Sequence, residues 1–187
     1  MITTIILNAT PAAGKDISAD FIADAYGANH IRFKDSLYEI AAEHAGVPVD
    51  WVKEFATDRK LKEIPCHFLY DFTPRQWLIR ISEEVIKPAH GNDYFGKATA
   101  AKLQDGLNVI SDSGFIEEFY PVADASDKVV VVQLYRDGCT FEGDSRNYLN
   151  RWEVVNAGAS LHVVTNNGTK GSLYRKLMDI VDVEVAL

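Results

Sequence analysis

The opening 27 residues restrict the fold more than any other stretch. Ile2–Leu7 is a β-branched, apolar run of strand length with no helical period. A turn follows, and then Ala19, Phe21, Ile22 and Ala25 recur at helical spacing until Gly27 stops them. The same alternation continues. Ile31–Phe33 predicts a short strand, Ser36–Ala45 a helix closed by Gly46, and Trp51–Phe55 a short helix behind Asp50. Thr73-Pro74 opens a helix with the cap-then-proline signature, and Trp77, Leu78, Ile81 and Val85 form its apolar face. Asp93–Leu103 predicts another helix, while Thr57–Asp71 carries no period. Leu107–Ser111, Lys128–Leu134 and Leu161–Val164 predict further strands, and Thr169–Asp179 a late helix. Val129–Val132 is apolar on both faces, as a strand covered by helices on both sides requires. The pattern predicts an α/β fold with a mainly parallel five-stranded sheet and helices on both faces. The 187 residues suffice for one domain.

Ligands of such folds bind at the carboxyl ends of strands. The loop after the first strand, Ala9-Thr10-Pro11-Ala12-Ala13-Gly14-Lys15-Asp16, has the spacing of the Walker A phosphate loop, G-x-x-x-x-G-K-S/T. Backbone N–H groups of such a loop and of the helix behind it converge on phosphate oxygens. Ala12, Ala13, Gly14, Lys15, Asp16 and Ile17 are therefore the predicted nucleotide-binding set, with Lys15 following the transferred phosphoryl group. Ala9 stands where the motif has its first glycine, and Asp16 where it has the hydroxyl that holds magnesium. A strand–helix turn with a solvated lysine is the plain alternative.

Composition narrows the classes. A net charge of −8 argues against a broad electrostatic grip on nucleic acid. Two cysteines exclude a disulfide scaffold and a four-cysteine zinc site, and the five histidines lack ligand spacing. No signal-peptide core or membrane-length apolar run occurs, so a cytoplasmic location (that of a host, if phage-encoded) without a membrane partner is expected.

The run Gly14-Lys15-Asp16-Ile17-Ser18-Ala19-Asp20 resembles the P-loop of the deoxynucleoside monophosphate kinases of tailed bacteriophages, which reads Gly-Lys-Asp, a small hydroxyl residue, Ala-Asp. Phe33-Lys34-Asp35-Ser36-Leu37 resembles that family's Phe-Ala-Asp-Pro-Leu, and Thr73-Pro74-Arg75 its Thr-Pro-Arg helix start. Ile110–Phe115 with Glu118 resembles its Asp-x-Arg-Phe-x-x-Glu element, with Gly114 in the arginine's place. Val164–Thr169 resembles its closing Asn-Asn/Asp-Gly-Ser turn. The resemblance implies a nucleoside monophosphate kinase-like P-loop fold with a small lid. It makes Asp16 a family feature and leaves magnesium to water, Ser18 or Asp112.

Several further groups carry chemistry. Asp112 follows an apolar strand as a Walker B carboxylate does, which makes Asp16 and Asp112 the metal candidates. A cap on the helix carrying Phe115 and Phe119 is the other reading of Asp112. Arg75 lies in a first helical turn, where positive charge is disfavoured, so it is a candidate for an acceptor phosphate, or else pairs with Asp71. Lys34 and Asp35 are candidates for an acceptor sugar or phosphate. Arg136 and Arg146, with Arg151 behind them, flank a glycine-bearing segment placed as a kinase lid would be.

These residues predict one domain over 1–187, with an acceptor-binding helical region at about 34–104 and a lid at about 136–152. The expected activity is transfer of the γ-phosphoryl of ATP, with magnesium, to a deoxynucleoside monophosphate, catalysed by Lys15, Asp112, Arg136 and Arg146. One alternative acceptor is the hydroxyl of a hydroxymethylated base (hydroxymethyluracil) in DNA, with Asp35, Asp112 or Glu118 as base. Another class altogether, a nucleotide-binding protein without turnover, is motivated by Ala9 and Asp16. A homodimer is compatible with all three.

Overall fold

The computed structural model describes residues 1–58 and 60–185. Five strands, β1 (Ile2–Ala9), β2 (Asn29–Ile31), β3 (Gly106–Ser113), β4 (Lys128–Tyr135) and β5 (Ser160–Thr165), form one sheet in the order β2-β3-β1-β4-β5, with every pairing parallel. Alternation along β1 sends Ile5, Leu7 and Ala9 to one face and Ile6 to the other. The first face packs on α1 (Lys15–Tyr26) and α9 (Lys170–Val185) through Ala19, Ile22, Leu173 and Leu177. The second face packs on α7 (Ile116–Asp124) and α8 (Arg151–Asn156) through Phe119, Val122 and Val154. Among the described residues no helix is long and apolar enough to cross a membrane.

A third apolar cluster lies away from the sheet, in the helices between β2 and β3. These are α2 (Phe33–Ala45), α3 (Val49–Thr57), α4 (Pro74–Ile79), a π-helical stretch (Arg80–Ile86) running into α5 (Lys87–His90), and α6 (Tyr94–Ala100). Tyr38, Val52, Leu69, Trp77, Ile81 and Phe95 fill this core. The Trp77 indole N–H donates to the Ala41 carbonyl at 3.0 Å, tying α4 to α2. The cap predicted at Thr73 is present and reciprocal. Thr73 Oγ1 accepts from the Gln76 N–H at 3.1 Å, and Gln76 Oε1 accepts from the Thr73 N–H at 3.0 Å.

Several boundaries differ from the sequence expectation. The second strand is Asn29–Ile31 rather than Ile31–Phe33, and α2 starts at Phe33 rather than Ser36. Asp112, on β3, is the cause: its carboxylate accepts from the N–H groups of Phe33 and Lys34, at 2.8 and 3.2 Å, and so starts the helix early. Pro48, not Asp50, holds the N-cap of α3. The aperiodic stretch before Thr73 contains two short 3-10 turns, Leu61–Glu63 and His67–Leu69.

Candidate functional site

The loop between β1 and α1 is built around one glycine. Gly14 adopts φ +103, a backbone conformation that side chains resist, and it opens α1 without a side-chain cap. The first-turn N–H groups of this 12-residue helix are thereby left for a ligand. A β-carbon at Gly14 would lie 2.6 Å from Asn166 Nδ2. Asn166 is buried after β5 and donates to the Ala13 carbonyl at 2.9 Å, clamping the loop from the far side of the sheet. Next to it, Asn167 Oδ1 accepts from the Asp137 N–H at 2.9 Å, joining the same turn to the segment after β4. Sequence reading saw a turn and a resemblance here, and gave the asparagines no part in the site. Two asparagines before a glycine were the available signal.

Lys15 is buried, with Nζ 3.6 Å from the exposed Asp16 carboxylate. Ala12 has φ +63 and is exposed, Ala13 is buried, and Ile17 packs on the core below. Ser18 does not offer its hydroxyl to a metal: it is fully buried and donates to the Gly14 carbonyl at 2.8 Å. That alternative for magnesium is corrected. Asp112 is buried, and its caps are given to α2 across the sheet, not to its own helix. Each of its oxygens keeps further lone pairs after one N–H bond, so the cap leaves room for water or metal. Among the described residues no three His, Cys, Asp or Glu side chains converge into a metal cage. Magnesium is ordinarily held by one or two carboxylates, phosphate oxygens and water, and Asp16 with Asp112 fits that donor set.

A cavity of about 310 Å³ opens beside Asp112, between α2, the helices of residues 74–90 and α7. Its walls are apolar at Phe33, Leu37, Leu78, Ile79, Phe95 and Phe115. Its polar groups are Lys34, Ser82, Glu83, Lys87, Asp112, Glu118, Ser145 and Arg146. Lys34 thus reaches the cavity. Asp35, one residue on, does not line it: its Oδ2 accepts from the Arg32 N–H at 3.2 Å and braces the start of α2. Arg75 lies three and four residues before Leu78 and Ile79, on the same helical side, yet it is exposed and outside the lining. Its Nε donates to Glu63 Oε1 at 2.7 Å, so the competing partner is Glu63 rather than Asp71.

Arg146 is the lid candidate brought to the site. Its Nε and Nη2 grip Asp144 at 2.9 and 2.6 Å. The Asp144 bond is the leading cause that raises the guanidinium pKa, with Asp112 and Asp16 adding to it. Burial works to raise the Asp144 carboxyl, but hydrogen bonds from Arg146, with Lys15 assisting, hold it below its usual value. The stem of Arg146 lies against Gly114, where a β-carbon would fall 2.4 Å from Arg146 Cβ and 2.6 Å from Cγ. Residues 147–149 are fastened to the sheet. The Asn147 N–H donates to the Gly114 carbonyl at 3.1 Å, and the Leu149 N–H to Asn8 Oδ1 at 2.8 Å. Arg136 is exposed at the end of β4 and lies apart from the cavity lining.

Glu118 is the cavity group that sequence reading placed only as a possible base. Burial, and then the Asp112 carboxylate, push its carboxyl up from 4.5 to about 8.

An all-parallel sheet of this strand order, with a glycine-lysine loop behind its first strand, is the P-loop NTPase fold of the kinase type. No family model matches the sequence, and no curated protein matches it. Among solved structures the chain is similar to the dephospho-CoA kinase from Campylobacter jejuni, with 13% identity over 98% of each chain and a TM-score of 0.50. A shikimate kinase from Acinetobacter baumannii in complex with shikimate aligns with 13% identity over all of this chain and 94% of its own, with a TM-score of 0.46.

Proposed function

We propose that the protein is an ATP-dependent P-loop phosphotransferase whose acceptor is a deoxynucleoside monophosphate. The observation that carries the reading is the uncapped start of α1 behind Gly14, with Lys15 buried beside it and an aromatic-walled cavity next to Asp112. The likeness in fold to a dephospho-CoA kinase agrees with it. ATP lies with its phosphates on Ala12–Ile17, and magnesium supplies charge neutralisation when bound. Asp16 and Asp112 hold that ion, through water where needed. Lys15 follows the transferred phosphoryl group. Lys34 and Arg146 provide positive charge between donor and acceptor, and Arg136 and Arg75 add to it from outside the cavity. The cavity takes the nucleoside of the acceptor between its phenylalanines. The motifs that resemble those of the bacteriophage kinases named above support the choice of acceptor.

A second reading, transfer to the hydroxyl of a hydroxymethylated base in DNA, is favoured by one observation. Glu118 is a buried cavity carboxyl pushed up to about 8, so that once ionised it is basic enough to take a hydroxyl proton. The deciding experiment incubates the protein with labelled ATP and either free deoxynucleotides or hydroxymethyluracil-containing DNA. Label in a nucleoside diphosphate supports the first reading, and label in DNA the second. ATP binding without transfer to either would leave a nucleotide-binding protein. Lys15→Ala is expected to keep the fold, seen as an unchanged circular dichroism spectrum, and to lose at least 100-fold in turnover. Near-normal turnover in that variant would dismiss the phosphate-loop assignment.

A further inference from the structure

One cation beside the site has no partner. Arg32 is half-buried at the end of β2. Its Nε is sealed from solvent without a hydrogen bond, whereas its terminal nitrogens are not sealed. The other arginines are accounted for differently: Arg146 is gripped by Asp144, Arg75 is held by Glu63, and Arg136 and Arg151 are exposed to water. The acids around Arg32 are all turned elsewhere. Asp35 Oδ2 accepts from the Arg32 backbone N–H, and Asp112 from the N–H groups of Phe33 and Lys34. Asp20 lies 3.5 Å from His30, and Asp16 lies 3.6 Å from Lys15. The direction of the side chain follows from the strand. The Arg32 backbone is extended, and Ile31 and Phe33 on either side belong to the apolar cluster of the α7 and α8 face. Alternation therefore turns Arg32 to the opposite face, where His30 meets Asp20 of α1. Burial raises the Tyr38 phenol to about 12, Asp112, Asp35 and Asp16 add to the rise and Arg32 opposes it, so the guanidinium stands among the carboxylates of the site.

We propose that Arg32 binds the phosphate of the acceptor. This rests on the acceptor assignment above and names the residue that recognises the phosphate of that acceptor. In the sheet, β3 separates β2 from β1 and its phosphate loop, so Arg32 lies one strand away from the cradle of the donor. The next two residues in the chain, Phe33 and Lys34, line the cavity that takes the nucleoside. A phosphate at Arg32 therefore stands between that cavity and the helix that carries Lys15. The two terminal nitrogens of a guanidinium offer parallel N–H donors that match two oxygens of one phosphate. Enclosure of Nε holds the stem in place, so this fork is set before the ligand arrives. A phosphate monoester brings roughly two negative charges. Asp16, Asp35 and Asp112 repel such a group, and Arg32, together with Lys34, is the positive charge that offsets them at this point. A guanidinium already paired with one of these acids would have to break that pair first. Arg32 has none to break, and a nucleoside without a phosphate gives it nothing to hold.

The test is calorimetric titration of the full chain, with magnesium present, by ATP and by dTMP, dCMP, dAMP and dGMP, each beside its own deoxynucleoside. The wild type is expected to bind at least one monophosphate roughly tenfold or more tightly than the matching nucleoside. In Arg32→Gln that gap should close to about threefold or less, with Mg-ATP affinity within about twofold of the wild type. Arg32→Lys keeps the charge without the fork and should fall between the two. Because no acid pairs with the guanidinium, the urea midpoint of unliganded Arg32→Gln should be unchanged or higher, whereas loss of a structural ion pair would lower it. An unchanged gap in Arg32→Gln would overturn the inference alone. So would a loss of Mg-ATP affinity as large as the loss of monophosphate affinity, which would make Arg32 a donor-side residue. Equal losses for monophosphate and nucleoside with a lowered urea midpoint would make it a structural one. If the wild type binds Mg-ATP but no monophosphate more tightly than its nucleoside, the proposed acceptor class falls too.

Discussion

Gly14 and Glu118 show how much a single position can carry. Gly14 combines a backbone conformation closed to side chains with a neighbour, Asn166, already in the space a β-carbon needs. Gly14→Ala should therefore cost about 1–3 kcal/mol in urea unfolding and at least tenfold in ATP affinity. Gly27, at φ +67 with nothing within 4 Å of its missing β-carbon, is the control: Gly27→Ala should cost about 1 kcal/mol and spare ATP binding. Glu118 makes a pH-dependent contribution whose sign is fixed. Its folded carboxyl stays protonated to about 8, whereas the unfolded one ionises near 4.5. The contribution is fully present below pH 4.5 and is lost as pH rises to about 8, where the unfolded chain has released the proton and the folded chain has released about half of it. Glu118→Gln abolishes this slope. It should be more stable than the wild type at pH 8, by an amount on the order of a few kcal/mol, and nearly equal to it at pH 4.5. Parallel denaturant curves at the two pH values settle the matter, and equal gaps would mean that the carboxyl is ionised in the folded protein.

At the level of elements, α2 depends on a strand far away in sequence. The Asp112 carboxylate supplies the cap for Phe33 and Lys34, so Asp112→Ala should destabilise the protein by about 1–2 kcal/mol even without nucleotide. A loss below a few tenths in urea titration would count against that role. The same cap explains a limit of sequence reading. The strand at Leu107–Ser111, the helix behind Thr73-Pro74 and the glycine-lysine loop were legible because periodicity, capping chemistry and motif spacing are all local. The early start of α2 was not, because its capping group is brought by folding. Likewise, Arg75 and Asp35 had local reasons to stand out, yet Glu63 and the Arg32 N–H claim them in the fold. Glu118 was visible only as an acid in a motif. The cavity it lines is assembled from separate segments, Phe33 and Phe95 among its walls.

Over the whole molecule, the central strands connect the parts that act together. Asn8 on β1 is fully buried and reaches three places at once. Its Oδ1 accepts from the Leu149 N–H and from Gln133 Nε2 of β4, and its Nδ2 donates to the Ser113 carbonyl of β3 at 3.2 Å. The strand leading into the phosphate loop is thus also the anchor of the segment carrying Arg146. Asn8→Ala would leave those partners unpaired. It should cost about 1–3 kcal/mol of stability and speed amide exchange at Leu149 by tenfold or more, while a protected Leu149 in the variant would show the anchor lies elsewhere.

The contact between Gly114 and Arg146 has a meaning in evolutionary time. The space a side chain at 114 would need is already filled by an arginine rooted 32 positions later, so only one of the two sites can bear a long side chain. A lineage that moves its cation from one root to the other must change both positions, since either step alone crowds the space or empties it. In the laboratory, Gly114→Arg alone and Arg146→Gly alone should each impair turnover, whereas the two together should recover most of it. Related sequences should then show arginine at one of these positions paired with a small residue at the other, a trace of exchange that neither site would reveal by itself.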